Sequence, residues 1–235
     1  GRLFTILLLG VTINTQAQGY DFSAMCNTGQ TLLYKITGDS TVSVRSGNGV
    51  GGRMEIPDQV SYNGITYYVT SIQDNAFYGC SSLTYIYIPN TVVDIGVFSF
   101  ASCGNIDTLF LGKNIQQISA ACFHCTGINT LIYNCKNLLN RPITGSIRRS
   151  FVSYLDHTPP CGYYLTDSWN QYVYYYYHAD PFYSLYGSVQ HIIIGNDVET
   201  IPQSMFRWYT NVVSFEWSDN MVNVGVSSFK DCTYD

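Results

Sequence analysis

Val69, Val92 and Ile115 stand 23 residues apart, and so do Ile72, Ile95 and Ile118, and Phe77, Phe100 and Phe123. Three apolar positions that keep one register over successive units confine the chain to a repeat architecture, because each unit can bury its apolar face only against a copy of itself. The template returns near the C-terminus, where Val198, Ile201 and Phe206 are followed after 23 residues by Met221, Val224 and Phe229. Between each Phe and the next unit runs a second signature, apolar at its first, fourth and sixth places: Leu83-Ile86-Ile88, Ile106-Leu109-Leu111, Ile128-Leu131-Tyr133, Val189-Ile192-Ile194 and Val212-Phe215-Trp217. Its last two members alternate as on a strand.

These patterns predict a β-rich repeat solenoid. Each turn supplies a strand at Leu83 to Ile88 or its equivalent, a second extended piece at Val69 to Ile72, and a compact turn carrying Phe77. Stacked turns would lie about 4.8 Å apart through strand pairing. Burial of each large apolar side chain contributes roughly 1.5–3 kcal/mol, while ordering costs about 1–2 kcal/mol per residue, so a lone turn does not fold and an array does. The predicted repeat core is Ile72, Phe77, Ile95, Phe100, Ile118, Phe123, Ile201, Phe206, Val224 and Phe229.

The stretch from Ser71 to Leu111 resembles the BspA-like leucine-rich repeat family of bacterial surface and secreted proteins. The marks are the Ile-Pro pairs Ile88-Pro89 and Ile56-Pro57, the Asn75-Ala76-Phe77 turn, and Cys80 three places after the Phe, repeated at Cys103 and Cys232. The resemblance covers about residues 54–137 and 188–235. It implies a leucine-rich-repeat array of about 23-residue turns and a role in adhesion, by attachment to host matrix proteins and to other cells.

Departures from the template divide the chain. The third repeat is one residue short between Phe123 and Ile128, Tyr209 stands where a Cys is expected, and Ile128 and Val189 are 61 residues apart. The expected layout is a signal peptide at 1–18, an N-terminal β cap region at 19–67, repeats at 68–137, a Tyr-rich insertion within a degenerate repeat at 138–187, and repeats again at 188–235. The signal is read from the mostly apolar run Phe4 to Val11, which is too short to span a bilayer and gives way to small and polar residues near Ala17 to Gly19. It implies an extracellular or cell-surface location without a membrane span. The chain stops at Asp235, before the strand its repeat calls for, and reads as part of a longer array. In the cap region, Asn63-Gly64 between strand formers predicts a two-residue hairpin that covers the first edge of the array. The polar run Ser46 to Gly52 reads as a flexible loop.

Charge argues against nucleic acid as a partner. Charged residues are 11% of the chain, against about 25% in an average domain, and the net charge is −5 with 11 Lys and Arg. A phosphate-binding face needs concentrated basic residues.

Chemistry-bearing residues are few. Cys122-Phe-His-Cys125 has the spacing of a redox pair or half a zinc site, yet the register puts Cys122 in the small-residue place of Ala76, Ser99 and Ser228, and Cys125 within one residue of the repeated Cys place. Both read as core thiols, and neither a metal nor a cofactor is predicted. Cys80 and Cys103 stack in register as small hydrophobes, which leaves Cys135 and Cys161 as the candidate disulfide. His124, His157, His178 and His191 sit in no recognisable catalytic motif, so no catalytic residue is assigned and the chain reads as a non-enzyme. Residues 163–186 hold nine Tyr, and Tyr163, Tyr164, Trp169, Tyr172, Tyr174 and Tyr176 form a candidate binding surface, since aromatic faces stack on sugars or anchor protein interfaces. The competing reading packs one side of this stretch on the array. Expected partners are a host matrix or cell-surface protein, or a glycan. The alternatives are a carbohydrate-binding module acting through the insertion, or a scaffold within a larger secreted enzyme.

Overall fold

The computed structural model describes residues 19–119, 121–124, 126–136, 138, 182, 185–202 and 205–232, with the backbone alone of two short strands at 164–166 and 172–174. Six strands precede the first complete repeat turn: β1 (Phe22–Met25), β2 (Thr31–Gly38), β3 (Thr41–Ser46), β4 (Gly52–Glu55), β5 (Gln59–Tyr62) and β6 (Ile65–Ile72). The repeats follow as β7 (Leu83–Tyr87), β8 (Asp94–Ile95), β9 (Thr108–Leu111), β10 (Gln117–Ile118) and β11 (Thr130–Tyr133). The short strands β12 (Tyr164–Thr166) and β13 (Tyr172–Tyr174) come next, then β14 (His191–Ile194), β15 (Thr200–Ile201), β16 (Ser214–Glu216) and β17 (Asn223–Val224).

Two sheets carry most of the repeats, and a separate parallel pair, β15 with β17, joins Ile201 to Val224. One sheet is wholly parallel, in the order β4-β7-β9-β11-β14-β16. The other runs β1-β2-β3-β6-β8-β10, antiparallel up to β3 and parallel beyond it, with β5 also paired to β6. Ile72 pairs with Ile95, and Ile95 with Ile118, so the 23-residue period is a hydrogen-bonded register. Leu109 pairs with Leu131, the one-residue deletion read from the sequence, and Leu131 pairs with Ile192, so the parallel sheet runs across the long interruption without a break.

The interior lies between the sheets. Leu83, Ile86 and Ile88 face inward from one side and Val69, Ile72 and Ile95 from the other, all buried. The Phe turn closes each coil. Phe77, Phe100, Phe123 and Phe182 stack in a column with ring centroids 5.1, 5.7 and 5.8 Å apart, and Phe206 and Phe229 stack at 5.5 Å. Phe182 therefore takes the Phe place of the coil ending in β14. Sequence reading missed it because it stands seven residues before Val189, one more than the template allows.

Two places before and after the rings, wherever those residues are described, the backbone turns left-handed. Asn75, Phe98, Ala121 and Ser227 have φ of 53–60° two places before the Phe, and Gly79, Ser102, Trp208 and Asp231 have φ of 59–69° two places after it. Asparagine side chains tie successive coils together: Asn105, Asn114, Asn211 and Asn220 each donate from Nδ2 to a carbonyl 24 residues earlier, at 2.6–2.8 Å.

Three expectations need correcting. The Asn63-Gly64 turn is present, with φ of 50° and 78°, and joins β5 to β6. The first edge, however, is covered by β3 in one sheet, where Val42 pairs with Val69 and Val44 with Ile72, and by β4 in the other, where Met54 pairs with Ile86. Strand β3, the turn after it, β4 and Ile56-Pro57 thus trace an additional coil, into which the β5–β6 hairpin is inserted. Ser46 to Gly52 is the turn of that coil. Ser46 donates its N–H to Ala76 O at 2.8 Å, Gly52 to Ser82 O at 2.7 Å, Val50 is buried, and the backbone of Thr31 lies where a side chain on Gly47 would stand. The lack of a Phe concealed it. Finally, Val224 is 41% exposed and Phe229 only half-buried, because both lie on the last described coil and have a neighbour on one side alone.

Candidate functional site

Burial of alternate residues in the parallel sheet leaves the others facing outward, and strict register aligns them in two columns. The first is Arg53, Tyr85, Thr108, Thr130, His191 and Ser214; the second is Glu55, Tyr87, Phe110, Ile132, Ile193 and Glu216. The second column carries four consecutive apolar or aromatic side chains, all half-buried, with a carboxylate at each end. Sequence reading did not single these out. The signal was present in the residues between Leu83, Ile86 and Ile88 and in their equivalents.

Specific contacts fix this face. Tyr87 and Phe110 stack with centroids 4.5 Å apart. The Arg53 guanidinium lies 3.8 Å from the centre of the Tyr85 ring and donates from Nε to Glu55 Oε1 at 2.8 Å. Burial pushes the Tyr87 phenol above its ordinary range, and Asp58, Tyr85 and Glu55 add to the shift. His191 Nδ1 and Ser214 Oγ share a hydrogen bond of 2.7 Å. A nucleophile and a base begin in this way, but activation also needs a group that orients the base, and among the described residues no carboxylate bonds the ring.

The thiols lie inside. Cys103 Sγ donates to Phe77 O at 3.0 Å and Cys232 Sγ to Phe206 O at 2.7 Å, each across to the preceding coil. Cys122 Sγ lies 3.3 Å from Ser99 Oγ. Burial pushes the thiols of Cys103 and Cys122 up to about 12, so neither ionises near neutrality. Cys135 is a free, buried thiol; Cys161, its expected partner, and Cys125 lie outside the described residues. Among the described residues no three His, Cys, Asp or Glu side chains gather to hold a metal.

Of the aromatic surface expected in the insertion, Tyr163, Trp169 and Tyr176 lie outside the described residues, as do His157, His178 and the apolar run at 1–18. Tyr164, Tyr172 and Tyr174 are described as backbone, with Tyr164 opposite Tyr174 and Tyr172 opposite Thr166 in an antiparallel pair.

Among the described residues, cavities border the sheet at both of its ends. One, of about 290 Å³, lies at the last described coil among Phe206, Phe215, Trp217 and Phe229 and is walled by repeat-core positions. The other, of about 350 Å³, lies at the first coil among Asn27, Glu55, Asp58, Gln59 and Tyr87 and is mostly polar.

A family model described as BspA type leucine rich repeat region matches residues 59–143 and 177–235, in 6 copies. Among solved structures, a leucine-rich repeat protein from Bacteroides capillosus is 23% identical, with a TM-score of 0.40 over 51% of this chain and 89% of the other. A leucine rich repeat protein of T. pallidum is 15% identical, with a TM-score of 0.41 over 83% of each chain. A leucine rich cell surface protein from Faecalibacterium prausnitzii is 14% identical, with a TM-score of 0.38 over 90% of this chain and 47% of the other. No curated protein matches the chain.

Proposed function

The chain belongs to the BspA-type leucine-rich repeat family, and on that premise we propose that it is a non-enzymatic surface or secreted bacterial protein that binds a protein partner. In this reading the coils stack as a solenoid, β1 and β2 cap its N-terminal end, and residues 1–18 direct export to the extracellular side. The observation that supports protein binding most is the row Tyr87, Phe110, Ile132 and Ile193 on the outward face of the parallel sheet. A flat row of half-exposed aromatic and branched side chains offers desolvation energy to a partner. The flanking Arg53, Glu55 and Glu216 provide a polar rim that sets orientation.

Host matrix and cell-surface proteins are the partner class that the family resemblance implies. Tyr163, Tyr164, Trp169, Tyr172, Tyr174 and Tyr176 enter as a second contact surface, supported by their density in the sequence. The test is binding of the protein and of its Phe110→Glu and Ile132→Glu variants to a panel of immobilised matrix proteins, with thermal unfolding followed in parallel. A tenfold or greater loss of binding at an unchanged melting temperature is expected. Binding that survives both substitutions overturns the assignment of this face.

A further inference from the structure

Besides lacking the Phe, the first coil departs from the repeat in how the chain leaves Ile56-Pro57, and that departure builds a pocket. Regular coils pass from Ile88-Pro89 to Val92 through two residues, whereas Ile56-Pro57 leads into the β5–β6 hairpin. The resulting space, about 350 Å³, is walled by Asn27 from the β1–β2 turn, by Glu55, Asp58 and Gln59 where the chain enters the hairpin, and by Tyr87 from the next coil, over buried Ile56.

Its walls are tied in place. Gln30 Nε2 donates to Gly51 O at 2.6 Å and to Arg53 O at 2.9 Å, which holds the β1–β2 turn against β4. Ile56 donates its N–H to Tyr87 O at 3.1 Å, and Val69 to Asp58 O at 2.9 Å. The pocket is therefore formed before any ligand arrives, which lowers the ordering cost of binding.

We propose that this pocket binds a single sugar ring. Three observations select that chemistry. The lining combines carboxylate acceptors (Glu55, Asp58), amides that both donate and accept (Asn27, Gln59) and one aromatic ring (Tyr87), which is the set needed to bond vicinal hydroxyls while stacking on the apolar face of a pyranose. The Arg53 guanidinium already pairs with Glu55, so Asp58 is the one carboxylate of the lining without a cationic neighbour among the described ion pairs. A cation would be held by little more than that single charge, whereas a polyhydroxyl compound uses every polar group. The volume lies at the small end of the range of roughly 300–1,000 Å³ for ligand pockets, which suits one ring rather than a long oligosaccharide.

The site adjoins the protein-binding face and shares with it Tyr87 and the rim residue Glu55. The experiment is saturation-transfer NMR on the whole chain with a panel of methyl glycosides of neutral hexoses, N-acetylhexosamines and fucose, beside lysine methyl ester as a cationic control. At least one methyl glycoside is expected to bind with millimolar affinity. Asp58→Asn and Gln59→Ala, whose side chains are exposed and whose backbone bonds stay intact, should each weaken it about tenfold, a change worth about 1.4 kcal/mol. Ile132→Glu, two strands away from Tyr87 in the parallel sheet, should leave sugar binding unchanged even where it abolishes protein binding, so the two readings fail separately. The proposal is overturned if no glycoside binds, if binding persists in the Asp58→Asn/Gln59→Ala double variant, or if lysine methyl ester binds more tightly than every sugar.

Discussion

Phe77 and Phe100 stack with ring centroids 5.1 Å apart and planes inclined by only 3°, although they belong to different turns of the chain. Phe123 continues the column on the far side of Phe100 at 5.7 Å. Phe100 is fully buried, so Phe100→Ala leaves a cavity touching two coils at once and should cost about 3–5 kcal/mol in denaturant unfolding. Hydrogen exchange should quicken in the coils of both Phe77 and Phe123, because stability in such arrays passes between nearest neighbours. A loss below about 1 kcal/mol would contradict the column as the core of the array.

Periodicity made the coil legible because burial repeats. Ile72, Ile95 and Ile118 pair in register at a constant spacing of 23, and the 61-residue gap between Leu131 and Ile192 is spanned in the parallel sheet as the sequence required. What was not legible has physical causes. The coil of β3 and β4 has no Phe in its turn, and Ser46 donates to Ala76 O as Phe77 donates to Ser99 O, so a template built on Phe77 passed over it. The left-handed positions at Phe98, Ala121 and Trp208 carry residues that do not advertise such a conformation, which tertiary packing imposes on them. The outward row from Tyr87 to Ile193 was hidden for the opposite reason. Pattern reading searches for what is buried, and the half-exposed residues between core positions look like filler until register aligns them.

The thiols should be graded in reactivity by depth. Cys103 and Cys122 are fully buried, and burial pushes both up to about 12, whereas Cys80 and Cys232 are only partly buried. Since the thiolate is the reactive species, brief alkylation of the native protein at pH 8 should modify Cys80 and Cys232 ahead of Cys103 and Cys122, and unfolding should erase the difference. Mass spectrometry of the digested protein reads the order. Early modification of Cys122 in the native state would mean that this thiol is functional rather than packed.

Asp94 predicts a pH dependence of unusual sign. Burial, and then repulsion from Asp74, raise its carboxyl above the ordinary range, and its Oδ1 is buried without a hydrogen bond among the described residues. The folded state thus holds its proton to higher pH than the unfolded chain does, so stability is lost as pH rises from about 4 through the folded pKa and is level above it. Asp94→Asn mimics the protonated form. It should melt at a higher temperature than the natural protein near neutrality and at nearly the same temperature near pH 3. Melting curves that differ by a constant amount across this range would show that Asp94 does not titrate in this window.

The turn around each Phe supplies the last test, one that separates backbone strain from packing. Gly79 and Ser102 occupy the same place in successive coils, two residues after Phe77 and Phe100, with φ of 69° and 59°. A side chain on Gly79 would meet no atom within 4 Å, so the cost of Gly79→Ala is conformational alone, about 1 kcal/mol for a left-handed residue with a Cβ. Ser102 already bears that cost. Ser102→Gly should therefore stabilise the protein, by up to about 0.6 kcal/mol once the greater freedom of glycine in the unfolded chain is set against the relief of strain. Opposite signs for two substitutions at equivalent places, measured by denaturant unfolding, would establish that the recurring left-handed turn is imposed by the stack and not chosen by its residues. If Ser102→Gly destabilises instead, its side chain contributes packing that outweighs the strain, and the two turns are not equivalent in energy.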